Sequence, residues 1–215
     1  MTRLLVLLDV DGTLFLTDDP LAGRALVESL ADPFDVHLPP DAIGRVDHRG
    51  QTSLRIARLV LEAAGVAAAT IDDGLAAWCP AFARRYLELL SGADTSAWRA
   101  APGAERALER LEEGGHRLAL LTGNPEPMAR ARMERLGLAR FFEPGGGAFG
   151  CDGEERAGLI DLARARAGGW PAEATVEIGD TARDATTAHE AGIGSIRVGA
   201  QGLGEDVVEQ LLAYT

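Results

Sequence analysis

Lysine is absent from this chain of 215 residues, so all 21 basic residues are arginine. Any mechanism that needs a catalytic lysine is therefore closed. Cysteine is nearly absent too. Cys79 and Cys151 lie far apart and form no CxxC pair, a pattern that predicts two buried or idle thiols in a reducing compartment. Long apolar runs are missing. The first strand-like stretch, residues 4–8, is too short to span a membrane, and no signal-peptide pattern precedes it. The expectation is a cytoplasmic protein without a membrane partner. Positive charge is in deficit, with 21 basic against 33 acidic residues and a net charge of -12. That balance argues against a nucleic-acid partner, which needs a basic surface. It also repels small anions, so a phosphate-bearing ligand needs positive charge placed locally, by a metal ion or by arginines.

What is present reads as strands alternating with helices. Residues 4–8, 118–121 and 175–178 are apolar runs of the kind buried on both faces, and 196–198 is a weaker fourth. Helical periodicity fills the intervals at 102–113, 125–136, 158–167 and 183–191. Gly114-Gly115 stops the first of these, and Asn124-Pro125 supplies a cap and a first-turn proline for the second. This is the pattern of an α/β fold with a parallel sheet. One stretch breaks the alternation. Between the first and second strands, 21–30, 53–64 and 72–90 are all helical, and no strand is visible. We expect a Rossmann-like core from 1–16 and 98–215, with 17–97 inserted as an α-helical cap domain. Gly145-Gly146-Gly147 reads as a turn needing positive φ.

The polar residues collect where strands end. Asp9 and Asp11 follow the first strand in Leu8-Asp9-Val10-Asp11-Gly12-Thr13-Leu14. Two acids one residue apart on a strand end point to the same side. They repel unless a cation lies between them or one holds a proton, which suits a nucleophile beside a general acid. Thr122, Gly123 and Asn124 end the second strand just before a helix N-terminus, where a hydroxyl and backbone amides can hold an anion. Asp180 and Asp184 follow the third, in Gly179-Asp180-Thr181-Ala182-Arg183-Asp184, and hard carboxylate oxygens suit Mg²⁺. An acid at a helix start also interacts favourably with the dipole, which is a second reading of Asp184. Open α/β sheets bind ligands at such carboxyl ends.

These motifs resemble those of haloacid dehalogenase superfamily phosphatases of the phosphoglycolate phosphatase-like branch, with a helical cap inserted after the first motif. The resemblance rests on Asp9, Asp11, Gly12 and Thr13, on Thr122 and Gly123, and on Gly179, Asp180 and Asp184. It implies that Asp9 attacks phosphorus and forms an aspartyl-phosphate, while Asp11 protonates the leaving oxygen and then activates water. It also implies Mg²⁺ held by Asp9, the backbone carbonyl of Asp11 and Asp180, with Asp184 steadying it. The basic residue of the family's third motif is usually lysine. Here the position falls to Arg156, which stays charged and can grip phosphate bidentately. In the cap, the stretch 46–53 resembles the Gly-x-Thr-Asp segment of this branch, with Ser53 where aspartate is usual. Arg45, Arg49 and His48 make it a local positive spot that could read a second anionic group on a small phosphorylated metabolite; pairing with Asp41 and Asp47 is the competing expectation. A sugar-phosphate mutase, a dehalogenase and a non-catalytic binding protein of the same fold remain open. A phosphonoacetaldehyde-type hydrolase does not, because it needs a Schiff-base lysine.

Overall fold

A computed structural model describes residues 3–212. Five parallel strands form one sheet: β1 (Leu5–Leu8), β2 (Arg117–Thr122), β3 (Ala148–Phe149), β4 (Thr175–Gly179) and β5 (Gly194–Arg197), in the order β3-β2-β1-β4-β5. The four apolar runs are all strands. The two-residue β3 was not visible in the sequence, being too short to show a periodicity. It exists because Ala148 and Phe149 pair with Leu121 and Thr122. Helices α4 (Ala104–Glu113), α5 (Glu126–Arg135), α6 (Arg156–Arg166) and α7 (Ala182–Glu190) connect the strands, and α8 (Glu205–Leu212) follows β5. The last of these was also missed.

Side chains alternate across the sheet as the two-residue period of a strand requires. Val6, Leu8, Leu118, Leu120, Val176 and Ile178 pack against α4, α5 and α8. Leu5, Leu7, Ala119 and Leu121 face Leu159 and Ile160 of α6 and Ala188 of α7. Helices thus cover both faces, which explains why the strands read as continuous apolar runs rather than alternating ones.

Between β1 and β2 lie three helices, α1 (Pro20–Phe34), α2 (Ser53–Ala63) and α3 (Ala68–Ser91), with a 3₁₀ turn at Ala42–Arg45. They enclose their own apolar cluster. Trp78 stacks on Phe82 with ring centroids 5.1 Å apart, and its indole N–H donates to Ser29 Oγ at 2.9 Å. Met128 of α5 belongs to this cluster, so the helical insert is seated on the core through α5.

The insert is also joined to the core covalently. Cys79 of α3 and Cys151, just after β3, form a disulfide. This corrects the expectation of two idle thiols. Spacing gave no hint of it, because the two residues meet only once the insert folds back over the loop after β3. Among the described residues, no helix is long and apolar enough to cross a membrane.

Candidate active site

Strand order builds the site. β1 lies between β2 and β4, so the carboxyl ends that carry Asp9, Thr122 and Asp180 are neighbours. The chain runs from β1 to one side and later returns to the other, and the crevice at such a reversal is where open α/β sheets place ligands. A cavity of about 530 Å³ opens there between the sheet ends and the helical insert.

Asp9 sits on its floor. The residue is buried, and its backbone N–H donates to the Ile178 carbonyl at 3.0 Å, extending the β1–β4 pairing by one residue. Burial raises the pKa of its carboxyl well above the ordinary range. Arg156 opposes that rise, while the charges of Asp184 and Asp11 add to it. Carboxylate oxygens of Asp9, Asp180 and Asp184 lie within 4.8 Å of one another. Two glycines make room for this cluster. A Cβ at Gly12, whose φ is +75°, would collide with the Asp180 carboxylate, and one at Gly179 would collide with that of Asp184. Three hard oxygen donors in a glycine-walled cradle are the ligand chemistry that Mg²⁺ takes. Burial also raises the Asp180 carboxyl; the charges of Asp184 and Asp11 add to the effect, and Arg49 opposes it.

The Asp11 side chain is not part of that three-acid cluster. It turns toward the end of β2 and α5, where Asn124 Nδ2 donates to Oδ2 at 2.5 Å and Arg132 Nη1 donates to Oδ1 at 2.8 Å.

Thr122 is buried at the end of β2, and its Oγ1 accepts from Asn124 N and Nδ2 at 3.3 and 3.1 Å. The expected helix-capping role of Asn124 does not hold. The residue at the cap position of α5 is Pro125, without a side-chain cap bond. Asn124 instead spends its amide on Asp11 and Thr122. Gly123 lies under the insert: its carbonyl accepts from Ser53 N and Oγ at 2.8 and 2.7 Å, and a Cβ there would collide with the Gln51 carbonyl.

Arg156 opens α6, as expected, and is buried against three acids. Its Nη2 stands 2.7 Å from Asp184 Oδ1, 3.0 Å from Glu177 Oε1 and 3.7 Å from Asp9 Oδ1. The approach to Asp184 lacks hydrogen-bond geometry, so Asp184 Oδ1 is left without a donor among the described residues. Asp184 Oδ2 is used locally, closing a capping box with Thr181 at the start of α7. Glu177 was not singled out in the sequence. It is a fully buried acid within β4, and burial pushes its carboxyl up to about 7 against the pull of Arg156. Its signal was a charge inside an apolar run.

The two cap arginines part company. Arg49 lines the cavity with His48 and Ser53. Arg45 does not: it pairs with Asp41 at 2.9 Å and is largely exposed. An i,i+4 partner on the same turn was the competing expectation, and it wins for Arg45. Asp47 pairs with Arg183 of α7 at 3.0 Å, and Arg183 Nε donates to the Arg49 carbonyl at 3.2 Å. Arg132 was missed altogether. It occupies the apolar face of α5 with Met128, Ala129 and Met133, and a charge at such a position was the available signal.

Comparison with known proteins agrees with the motif reading. The family model for haloacid dehalogenase-like hydrolases matches residues 4–192. A phosphoglycolate phosphatase of Caulobacter vibrioides is 32% identical over 205 residues, covering 94% of this chain and 81% of that protein. One of Cereibacter sphaeroides is 31% identical over 191 residues, covering 87% and 81%. Among solved structures, CbbY from Rhodobacter sphaeroides in complex with phosphate superposes with a TM-score of 0.66 at 21% identity, over 93% of this chain and 87% of that one. The chain belongs to the haloacid dehalogenase-like hydrolase family.

Proposed function

We propose that this family member is a Mg²⁺-dependent phosphatase that hydrolyses a small phosphate monoester through an aspartyl-phosphate on Asp9. The observation that carries the reading is the floor of the cavity: a buried carboxylate, Asp9, with carboxylate oxygens of Asp180 and Asp184 within 4.8 Å and the Arg156 guanidinium 3.7 Å away. Phosphoryl transfer needs positioning and charge neutralisation above all, and in a chain of net charge -12 this floor supplies both locally.

The placement of the residues supports the following roles. Asp9 attacks phosphorus. As the new P–O bond forms, the bond to the leaving oxygen breaks, and that oxygen takes a proton from Asp11. Asp11, as carboxylate, then takes a proton from the water that opens the aspartyl-phosphate. Thr122 and the backbone at Gly123 and Asn124 receive the transferring oxygens at the start of α5. Arg156 balances the charge at Asp9. Mg²⁺, held by Asp9, Asp180 and the Asp11 backbone and steadied by Asp184, would neutralise the phosphate and the clustered acids. Residues 17–97 act as the cap over the 1–16 and 98–215 core and set what reaches the floor. Arg49 is the cap residue placed to read a second anionic group. The curated relatives are named phosphoglycolate phosphatases, so 2-phosphoglycolate is the first ester to test.

The test is phosphate release from 2-phosphoglycolate with Mg²⁺, followed by acid quench and mass analysis of the Asp9 peptide. The expected result is a phosphoryl group on that peptide, no activity in excess chelator, and a loss on the order of 10³-fold or more in Asp9→Asn. Activity of Asp9→Asn within tenfold of wild type would refute the nucleophile assignment.

A further inference from the structure

Arg132 is the most heavily partnered side chain at the boundary between the core and the cap. Its side chain is 2% exposed. Nη1 donates to both oxygens of Asp11, at 2.8 and 3.1 Å. Nη2 donates to Asp19 Oδ2 at 2.7 Å, and Nε donates to the Tyr86 hydroxyl at 3.2 Å. The guanidinium lies over the rings of Phe15 and Tyr86, 5.1 and 5.5 Å from their centroids. Every face of the group is engaged, and the partners come from three places. Asp11 and Phe15 belong to the loop after β1. Asp19 caps α1, and its other oxygen accepts from Leu21 N at 3.1 Å. Tyr86 lies in α3 and itself donates to Asp19 at 2.7 Å.

Such an arrangement is not needed to bury an arginine. Asp19, with a side chain 3% exposed, already balances its charge. Asp11, by contrast, is about half exposed and faces the cavity. A carboxylate left free in such a place turns between rotamers. Here Arg132 and Asn124 hold it on the cap side of the cavity, away from the cluster of Asp9, Asp180 and Asp184. Three hydrogen bonds from these two groups, two on Oδ2 and one on Oδ1, leave about one of the carboxylate's roughly four lone-pair sites open, on Oδ1, enough for a proton. The organic part of a phosphate ester must lie on this side, because the floor takes the phosphoryl group.

We propose that Arg132 is a positioning residue that fixes Asp11 at the leaving group, with its own orientation set by Asp19 and Tyr86 of the cap. The proposal rests on the phosphatase reading above. Arg132 touches no reacting atom. It acts through Asp11, and the tie to α1 and α3 means that Asp11 is held in place only when the cap is seated.

The test is the dependence of kcat/KM on the leaving group in a series of substituted phenyl phosphates with Mg²⁺. These esters carry no second anion, so a role of Arg132 in binding a distal charge does not enter. Protonation of the leaving oxygen matters little for 4-nitrophenolate and much for phenolate, so losing it steepens the dependence. Asp11→Asn sets the steep limit. Arg132→Lys keeps the buried charge but not the fork, and the paired variant Arg132→Gln with Asp19→Asn keeps the hydrogen-bonding groups without a lone buried charge. Both should approach that limit, with phenyl phosphate losing about 10²-fold and 4-nitrophenyl phosphate only a few-fold. Tyr86→Phe should fall between them and wild type. An equal loss across the series with an unchanged slope means a structural role and overturns the proposal, while leaving the phosphatase reading in place. A gain with phenyl phosphate would mean that Arg132 restrains Asp11 and would overturn it as well. A wild-type slope in Asp11→Asn removes the acid role and the proposal together.

Discussion

We assign Arg156 to the position where the resemblance expects lysine, and its surroundings show what such an exchange requires. A guanidinium is larger than an ammonium and carries several N–H donors. Here it is buried between Asp9, Asp184 and Glu177. Burial alone would lower its pKa, but the charges of Asp9, Glu177 and Asp184 outweigh that, and the group is held charged. Glu177 occupies a position in β4 that pairs with Leu7 in register and is enclosed on the α6–α7 side. It is tolerable there only because Arg156 is beside it. Arg156→Ala therefore removes the counter-charge at Asp9 and strands a buried acid. We expect a strong loss of activity and a loss of stability of about 3–5 kcal/mol. Arg156→Lys should retain a good part of both. Thermal unfolding and kcat of the two variants check this; an Arg156→Ala protein with wild-type rate and melting temperature would remove the residue from the site.

At the scale of elements, the segment from the 3₁₀ turn at Ala42–Arg45 to the start of α2 decides what the cap presents to the cavity. Its end is pinned to the core by Ser53 on the Gly123 carbonyl, Leu54 N on the Gly150 carbonyl at 3.2 Å, and Thr52 Oγ1 on the Glu154 carbonyl at 2.9 Å. Asp47 and the Arg49 carbonyl are tied to Arg183. The backbone of the loop is thus fixed at both sides of Arg49, and its side chain is left in the cavity wall. Arg49→Ala should raise KM for 2-phosphoglycolate about tenfold, about 1.4 kcal/mol, and leave 4-nitrophenyl phosphate, which has no second charge, unchanged. Arg45→Ala should change neither, because its partner is Asp41 on the surface. Equal effects of Arg49→Ala on both esters would exclude the distal role.

For the whole molecule, the cap is held to the core by more than apolar contact. Arg58 of α2 donates to both oxygens of Glu154, at 2.6 and 2.8 Å, and the Cys79–Cys151 bond crosses the same boundary. That bond closes a loop with a sequence separation of 72 residues, spanning the end of the cap from Cys79 and the core from residue 98 to Cys151. Restricting the unfolded chain over such a loop stabilises a protein typically by about 2–4 kcal/mol. Cys79→Ser, or wild type kept in excess reductant, should lose stability of that size in denaturant unfolding. Identical midpoints with and without reductant would show that the bond contributes nothing to the folded state.

The sequence by itself determined the parallel α/β core, the helical insert after the first motif, and the acidic and hydroxyl motifs at three strand ends. Those features are written in short windows: an apolar run bounded by glycine, an apolar periodicity, or two acids one residue apart, each of which local backbone geometry translates directly. β3 and α8 escaped because the first is stabilised only by pairing with Leu121 and Thr122, and the second by packing Val207, Val208 and Leu211 on the sheet. Tertiary structure alone decided which polar groups meet. Asn124 gave up a capping role for Asp11, 113 residues away. Arg132 found Asp11 and Asp19 at similar separations, and Cys79 found Cys151. Arg45 and Arg49 look alike in sequence, yet one has a partner one turn back and the other faces the cavity. Contacts between distant residues depend on the path of the whole chain through the order β3-β2-β1-β4-β5, and no window of local sequence contains that path.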